Sequence, residues 1–314
     1  MDKGVNVLSL CDGMSCGQIA LKELGIKVNK YYASEIDKNA IKVTMDNFPN
    51  TIQLGDVMNL IEGESEDGEI FVNKTELSKL PRIDLVIFGS PCRSLSKATA
   101  GREKYNSGLN GVSGLFYYCN AILQWVKKNN NENVYFMCEN VDSNNKKDLD
   151  HMSQLLGVEY ITINSNLFSA QDRVRNYWTN IPIKISELPK SNPLVLNDIM
   201  YYAVYEKFFY NQSFDFKGED HKVCATLHIN GHDILKRVNS RYFKSPTLTS
   251  CRGGNHQKKV YDNGRCRKLT PSEYRKLQTI PDWYIMNVAN SHIYNMCGDG
   301  WTIEVIKYLF SYIK

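Results

Sequence analysis

The segment Val5-Asn6-Val7-Leu8-Ser9-Leu10-Cys11-Asp12-Gly13-Met14-Ser15-Cys16-Gly17 decides the fold. Val5 to Leu10 is an apolar run of strand length. Asp12 to Gly17 is rich in small residues, which turn the chain. Gln18 to Leu24 then takes helical spacing. The same rhythm repeats downstream. Tyr31 to Ser34 reads as a strand ending at Glu35, and Ile36 to Phe48 as a helix. A short polar stretch leads to Gly55-Asp56, and the acidic residues 62–69 read as a surface insertion. Leu85 to Phe88 is an apolar strand running into Gly89-Ser90-Pro91-Cys92. Leu115 to Lys127 is a helix, and Val134 to Cys138 a strand ending at Glu139-Asn140. This alternation predicts an α/β fold with a doubly wound, mostly parallel sheet. Asp12, Glu35, Asp56, Cys92 and Glu139 all follow predicted strands. Ligands of such sheets bind beyond the carboxyl ends of the strands, so the five are expected to share one site.

The bulk composition is compatible with this. A chain of 314 residues with 42% apolar residues can bury one large α/β domain and a small second one. Nine cysteines without a C-x-x-C pair argue against a disulfide framework or zinc site and suit a reducing interior. No apolar run approaches membrane-spanning length, and the N-terminus lacks the apolar core of a signal peptide. An intracellular protein is expected, with no metal and no membrane partner. The net charge of +4 is modest, but cations cluster at Lys236-Arg237, Arg241, Lys244, Arg252, Lys258-Lys259 and Arg265 to Lys268. Such a cluster is either a solvated basic face or a phosphate-binding one.

From about Pro182 to Cys266 the periodicity fades, and a small loop-rich second domain is expected. Thr270-Pro271-Ser272-Glu273 then carries an N-cap, a proline at the first helical position and a glutamate at the third. Thr302 to Tyr312 is apolar at helical spacing and is expected to pack on the first domain.

Each candidate motif has an ordinary reading when taken alone. The Asp12-Gly13 turn lacks G-x-G-x-x-G and is then a plain βα turn. Glu35 is then a solvated carboxylate, although an acid after the second strand also suits ribose hydroxyls. Asp56 either caps a turn or accepts from an adenine amino group. Most cysteines are buried structural residues. Cys92, however, ends a strand and precedes the basic, glycine-containing stretch Arg93-Ser94-Leu95-Ser96-Lys97, which suits a lid and favours a thiolate. Gln171-Asp172-Arg173-Val174-Arg175 places two arginines at alternate positions of a predicted strand, on one face.

Taken together, these elements resemble the DNA cytosine-5 methyltransferases over nearly the whole chain, in the style of phage and bacterial members. The resemblance rests on the Asp12-Gly13 turn, Glu35, Gly55-Asp56, Pro91-Cys92, Glu139-Asn140-Val141 and Gln171-x-Arg173-x-Arg175. It continues through Arg267-Lys268-Leu269-Thr270-Pro271-Ser272-Glu273 and Gly298-Asp299-Gly300-Trp301-Thr302. It implies a methyltransferase-type α/β domain over 1–182 and 266–314, with a target-recognition domain over 183–265. It implies S-adenosylmethionine as cofactor, held by Leu10, Cys11, Asp12, Gly13, Met14, Ser15, Gly17, Glu35, Ile36, Asp56, Val57, Pro91, Asp299, Trp301 and Thr302. Cys92 would be the nucleophile and Glu139 the acid near cytosine N3. Arg173 and Arg175 would hold cytosine O2 and the backbone phosphates. Arg93, Ser96, Lys97, Arg237, Arg241, Thr249, Arg252 and Gly253 are the implied contacts to double-stranded DNA. The enzyme is expected to act as a monomer in the cytoplasm of a bacterial or phage-infected cell.

The chain departs from the family pattern at three places. Cys11 stands where a phenylalanine is usual and offers the cofactor less contact area. Arg93 follows the catalytic cysteine where glutamine or asparagine is common. Asp299 replaces an asparagine, and Glu304 takes a position often filled by proline. Three alternatives stay open at this point: a tRNA cytosine-5 methyltransferase of the same fold, a catalytically silent DNA-binding relative, and transfer of a group other than methyl from a modified cofactor.

Overall fold

Strand β1, Val5–Leu10, is buried along almost its whole length, because a central parallel strand is covered on both faces. The computed structural model describes residues 4–91, 114–143 and 145–314. The chain divides into two compact units. One comprises Met1–Ile163, Val174–Ile183 and Ile306–Lys314; the other comprises Asn164–Arg173 and Lys184–Val305. The second unit therefore takes in the helices Pro271–Leu277 and Asn290–Asp299, which lie within 266–314.

In the first unit β1 is followed by α1 (Cys16–Glu23), β2 (Val28–Ser34), α2 (Lys38–Asn47) and β3 (Ile52–Gly55). Asp37 caps α2 through the backbone N–H groups of Asn39 and Ala40. The acidic insertion is a hairpin of β4 (Ile61–Glu64) and β5 (Ile70–Val72), with the short helix α3 (Lys74–Leu77) after it. Then come β6 (Leu85–Phe88), α4 (Leu115–Asn129), β7 (Tyr135–Val141), α5 (Lys146–Leu156), β8 (Tyr160–Asn164) and β9 (Val174–Thr179). The seven-stranded sheet runs in the order β3-β2-β1-β6-β7-β9-β8. Its pairs from β3 to β7 are parallel, and β7 pairs β9 antiparallel. Chain direction reverses its lateral course at β1, so the carboxyl ends of β1 and β6 flank a topological switch point. Leu8, Leu10, Val86, Phe88, Phe116, Phe136 and Trp178 belong to the core.

The second unit contains α6 (Leu196–Ile199), β10 (Phe214–Phe216), β11 (Val223–Leu227), α7 (Asp233–Lys236), β12 (Arg237–Asn239), β13 (Lys259–Asp262) and β14 (Arg265–Lys268). The five strands form one sheet in sequence order, around Cys224, Ala225, Leu227, Val238 and Cys266. The loop-rich expectation misses this sheet, because strands this short show no readable alternation. Helices α8 (Pro271–Leu277) and α9 (Asn290–Asp299) follow. The Thr270–Glu273 capping box forms as its sequence implies. The last helix, α10, spans Ile303–Phe310, and its Lys307 lies 3.8 Å from Glu23. No helix among the described residues is long and apolar enough to cross a membrane.

Candidate active site

The turn after β1 is wound tightly. Cys11, Gly13 and Ser15 have φ of 56°, 58° and 57°, so three of five residues are left-handed. Glycine adopts this freely, whereas Cys11 and Ser15 each pay on the order of 1–2 kcal/mol. Hydrogen bonds hold the turn. The Asp12 carboxylate accepts from Ser9 Oγ at 2.6 Å, from Tyr31 Oη at 2.8 Å and from Ser15 Oγ. Burial pushes the Asp12 carboxyl up to about 6, with the charge of Glu35 adding to it and the Ser15, Ser9 and Tyr31 hydroxyls pulling down. Ser9 and Tyr31 carry no motif signal in the sequence.

Glu35 joins this turn to the end of β2. Its Oε2 accepts from Gly13 N at 2.7 Å, and its Oε1 accepts from Ile36 N at 2.7 Å and Asp37 N at 2.8 Å. Asp56 is exposed and caps a short 3-10 turn by accepting from Met58 N at 3.0 Å. Ile36 is 69% exposed and Met58 40%. Open apolar side chains beside Glu35 and Asp56, with open space at Gly13, suit a nucleoside with hydroxyl donors. The donor set thus fits S-adenosylmethionine. Leu10, Met14 and Val57 are buried in the core. Gly17 has a packing role: a Cβ there would lie 2.2 Å from Ile87 Cδ1.

Strand β6 delivers buried Ser90 and half-buried Pro91 to the sheet edge. Cys92, Arg93, Ser96 and Lys97 lie outside the described residues. On neighbouring β7, Asn140 Nδ2 donates to Ser90 Oγ at 3.3 Å. Glu139, 8% exposed, pairs through Oε1 with Arg175 Nε at 3.0 Å. Arg175 enters from antiparallel β9, where its register partner is Val141.

The two arginines have different partners among the described residues. β9 begins at Val174, so Arg173 precedes the strand. Arg173 is 2% exposed and donates to the carbonyls of Leu248 at 2.9 Å, Gly298 at 3.1 Å and Gly300 at 2.9 Å. Gln171 binds the same region, accepting from Leu248 N at 2.8 Å and donating to Leu277 O at 3.1 Å. Thr302 Oγ donates to Gln278 Oε1 at 2.8 Å and meets Ser165 Oγ at 2.9 Å. Asp299 is exposed, Trp301 half-buried and Thr302 buried. Asp299 accepts from Asn295 Nδ2 at 3.0 Å, and Asn295 Oδ1 accepts from Ser250 Oγ at 2.7 Å. Gln171, Gln278 and Asn295 have structural parts that the motif spacing left without a role.

Of the DNA candidates, Thr249 and Arg252 are exposed, and Gly253 has φ 109° with open space at its Cβ position. Arg237 and Arg241 are already engaged. Arg237 pairs with Asp233 at 2.7 Å, and Arg241 pairs with Glu219 at 3.3 Å.

The α/β fold thus combines a mostly parallel sheet with a glycine turn, an acid after the second strand and an acid–arginine pair at adjoining strand ends. The profile of C-5 cytosine-specific DNA methylases matches residues 5–314, and the chain belongs to that family. It is 36% identical over 129 residues to the Arabidopsis thaliana protein DNA (cytosine-5)-methyltransferase DRM2, covering 40% of this chain and 19% of that protein. The chain thus spans about a fifth of that relative's length. The orphan methyltransferase M.SPBetaI of Bacillus phage SPbeta is 23% identical, with 98% of this chain and 96% of that protein covered. Among solved structures, a prophage-encoded putative DNA modification methyltransferase of E. coli superposes with a TM-score of 0.65 at 18% identity, over 99% and 98% of the two chains. Spodoptera frugiperda DNMT2 gives 0.63 at 18% identity, over 98% and 99%.

Proposed function

We propose that this chain transfers a methyl group from S-adenosylmethionine to C5 of a flipped cytosine in double-stranded DNA, with Cys92 as the covalent nucleophile. The observation that carries the reading is the Glu139–Arg175 pair, held on strands beside the Ser90-Pro91 turn that leads to Cys92. Residues 1–182 and 266–314 are the catalytic part, and 183–265 read the target. The turn Cys11 to Ser15 and Glu35 hold the cofactor, Glu35 at the ribose and Asp56 at the adenine amino group. Pro91, Ile36, Asp299, Trp301 and Thr302 are the further residues proposed to contact the cofactor. Thr249, Arg252 and Gly253 face DNA, along with Arg93, Ser96 and Lys97. The protein acts as a monomer inside a bacterial or phage-infected cell.

The chemistry explains the residue types. Cytosine C5 is a poor nucleophile. The Cys92 thiolate adds to C6, forming a C–S bond and pushing the ring electrons toward N3 and O2. Glu139 donates a hydrogen bond or proton at N3, and Arg175 neutralises charge at O2. When bound, S-adenosylmethionine would supply an electrophilic methyl group; the enamine C5 takes it as the sulfonium S–CH3 bond breaks, leaving S-adenosylhomocysteine. A base then takes the C5 proton, and the returning electrons expel the Cys92 thiolate. The cytosine must leave the stack first, at a cost of a few kcal/mol. Arg173 positions backbone segments rather than the ring.

Tritiated S-adenosylmethionine with duplex DNA or tRNA, and Cys92→Ser as control, tests this. Label in DNA that vanishes with Cys92→Ser is expected, as is a Cys92-dependent adduct with 5-fluorocytosine DNA. Label confined to tRNA would overturn the DNA reading. DNA binding without label would mark a silent relative.

A further inference from the structure

Three buried hydroxyl side chains, Ser9, Ser15 and Tyr31, converge on the Asp12 carboxylate. In the β1–β2 register Val7 faces Tyr31 and Ser9 faces Ala33, so Ser9 and Tyr31 are diagonal neighbours on one face of the parallel pair. Asp12 Oδ1 accepts from Ser9 Oγ at 2.6 Å and from Tyr31 Oη at 2.8 Å, and Oδ2 accepts from Ser15 Oγ. Tyr31 Oη lies under the first turn of α1, 3.4 Å from where a Cβ of Gly17 would stand. The backbone of the turn is tied in as well. Asp12 N donates to Ser34 O at 2.9 Å, and Ser15 N to Asp12 O at 3.0 Å. Gly13 N, next in the chain, donates to Glu35 Oε2 at 2.7 Å. Tyr31 and Ser9 are thus joined to Glu35 through Asp12 and Gly13. No cation pairs with Asp12 or Glu35 among the described residues.

Burying hydroxyls and a carboxylate costs free energy that their mutual hydrogen bonds must offset. What these bonds fix is the left-handed run of Cys11, Gly13 and Ser15. We infer that Tyr31 and Ser9 are positioning residues of the cofactor site, holding the Asp12 carboxylate and through it the turn that aims Gly13 N at Glu35. This role rests on the S-adenosylmethionine reading and adds two residues that act without touching the cofactor. It also gives cofactor affinity a pH dependence. Burial raises the Asp12 carboxyl to about 6; Ser15, Ser9 and Tyr31 pull it down and the Glu35 charge pushes it up. The other titratable groups are Tyr31, held protonated by burial and the Asp12 charge, and the thiols of Cys11 beside Asp12 in the chain and Cys16 at the start of α1. Ionised Asp12 accepts from three donors at once, whereas a proton on it takes up acceptor capacity and removes the charge. The sulfonium and ammonium groups of the cofactor favour the charged form. Affinity should therefore rise with pH through about 6 and then level.

The test is calorimetric titration of the full chain with S-adenosylmethionine over a pH series. It compares wild type, Tyr31→Phe, Ser9→Ala, Asp12→Ala and the Tyr31→Phe/Asp12→Ala double variant, with cooperative urea unfolding to verify each fold. Tyr31→Phe and Ser9→Ala are each expected to bind about tenfold more weakly at neutral pH, the effect of one lost hydrogen bond to a charged group. The pH at which affinity levels should move up in both, because each has lost a donor that favours the carboxylate. Tyr31→Phe should add nothing once Asp12→Ala is in place, since Tyr31 acts through Asp12. A role in packing alone would lower the urea midpoint and leave the pH profile where it stands in wild type, and that result would overturn the assignment. Additive losses in the double variant would overturn it too. Should Asp12→Ala fail to fold, the pH profiles of the two hydroxyl variants decide alone. A wild type that binds no S-adenosylmethionine would instead overturn the underlying cofactor reading.

Discussion

Glu139 and Arg175 form a carboxylate–guanidinium pair at 3.0 Å, with side chains only 10% and 13% exposed. Neither is replaceable without loss. In the proposed reaction Glu139→Gln keeps the shape but removes the acid, and turnover should fall about 10²- to 10⁴-fold while DNA binding persists. Arg175→Ala strands a largely buried carboxylate, which costs about 3 kcal/mol or more when the burial is this deep. It should therefore lower both turnover and the urea midpoint, whereas Glu139→Gln lowers mainly turnover. Single-turnover kinetics beside urea unfolding separates the two. Equal loss of stability in both variants would reduce the pair to a structural bridge.

Asp12 gives the cofactor turn a pH dependence. Its carboxyl is raised in the fold from 3.8 to about 6, chiefly by burial. The folded state therefore holds a proton that the unfolded chain has released between those values. Its stabilising contribution is complete below pH 3.8 and is lost as pH rises through about 6. The span amounts to about 3 kcal/mol at most. Denaturant unfolding of wild type and Asp12→Asn across pH 4–8, as a difference, should decline toward pH 6 and flatten above it. A flat difference across the range would show that Asp12 titrates as in the unfolded chain.

The sequence discloses features whose causes are local. The turn after β1 is set by Gly13 and its small neighbours, and the α8 capping box by Thr270 and Glu273, three residues apart. The parallel sheet follows from the buried runs of β1 and β6. What it hides depends on distant partners. Alternation could not show that the carbonyls bonded by Arg173 come from Leu248, Gly298 and Gly300, distant in sequence. The cation cluster likewise does not show that Glu219 and Glu206 pair with Arg241 and Arg265. The five-stranded sheet is invisible because strands of three to five residues carry too few alternations to count.

Arg173 should behave as a buried scaffold cation. Its fork meets three carbonyls, and Arg173→Lys offers a single point charge to the same acceptors. Loss of these charge-assisted bonds, each worth about 1.5–3 kcal/mol, should lower the unfolding midpoint strongly. These bonds hold backbone rather than substrate, so the remaining folded enzyme should keep its turnover per folded molecule. Active-site titration with 5-fluorocytosine DNA, set against total protein, measures that ratio. A variant that is fully folded yet slow would return Arg173 to the chemistry.

Gly298 sets the last expectation. A Cβ there would stand 2.4 Å from Thr249 C and O and from Ser250 N, all backbone atoms that cannot swing aside. Gly298→Ala must therefore shift either α9 or the Thr249–Ser250 peptide, at a cost of about 1–3 kcal/mol. The shift falls on a segment proposed to face DNA and on one proposed to face the cofactor, so affinity for both should drop together. Calorimetric titration with duplex DNA and with S-adenosylhomocysteine compares them. A loss confined to DNA would mean that the loop yields and α9 holds, since the Arg173 bonds to Gly298 and Gly300 would then outlast its bond to Leu248.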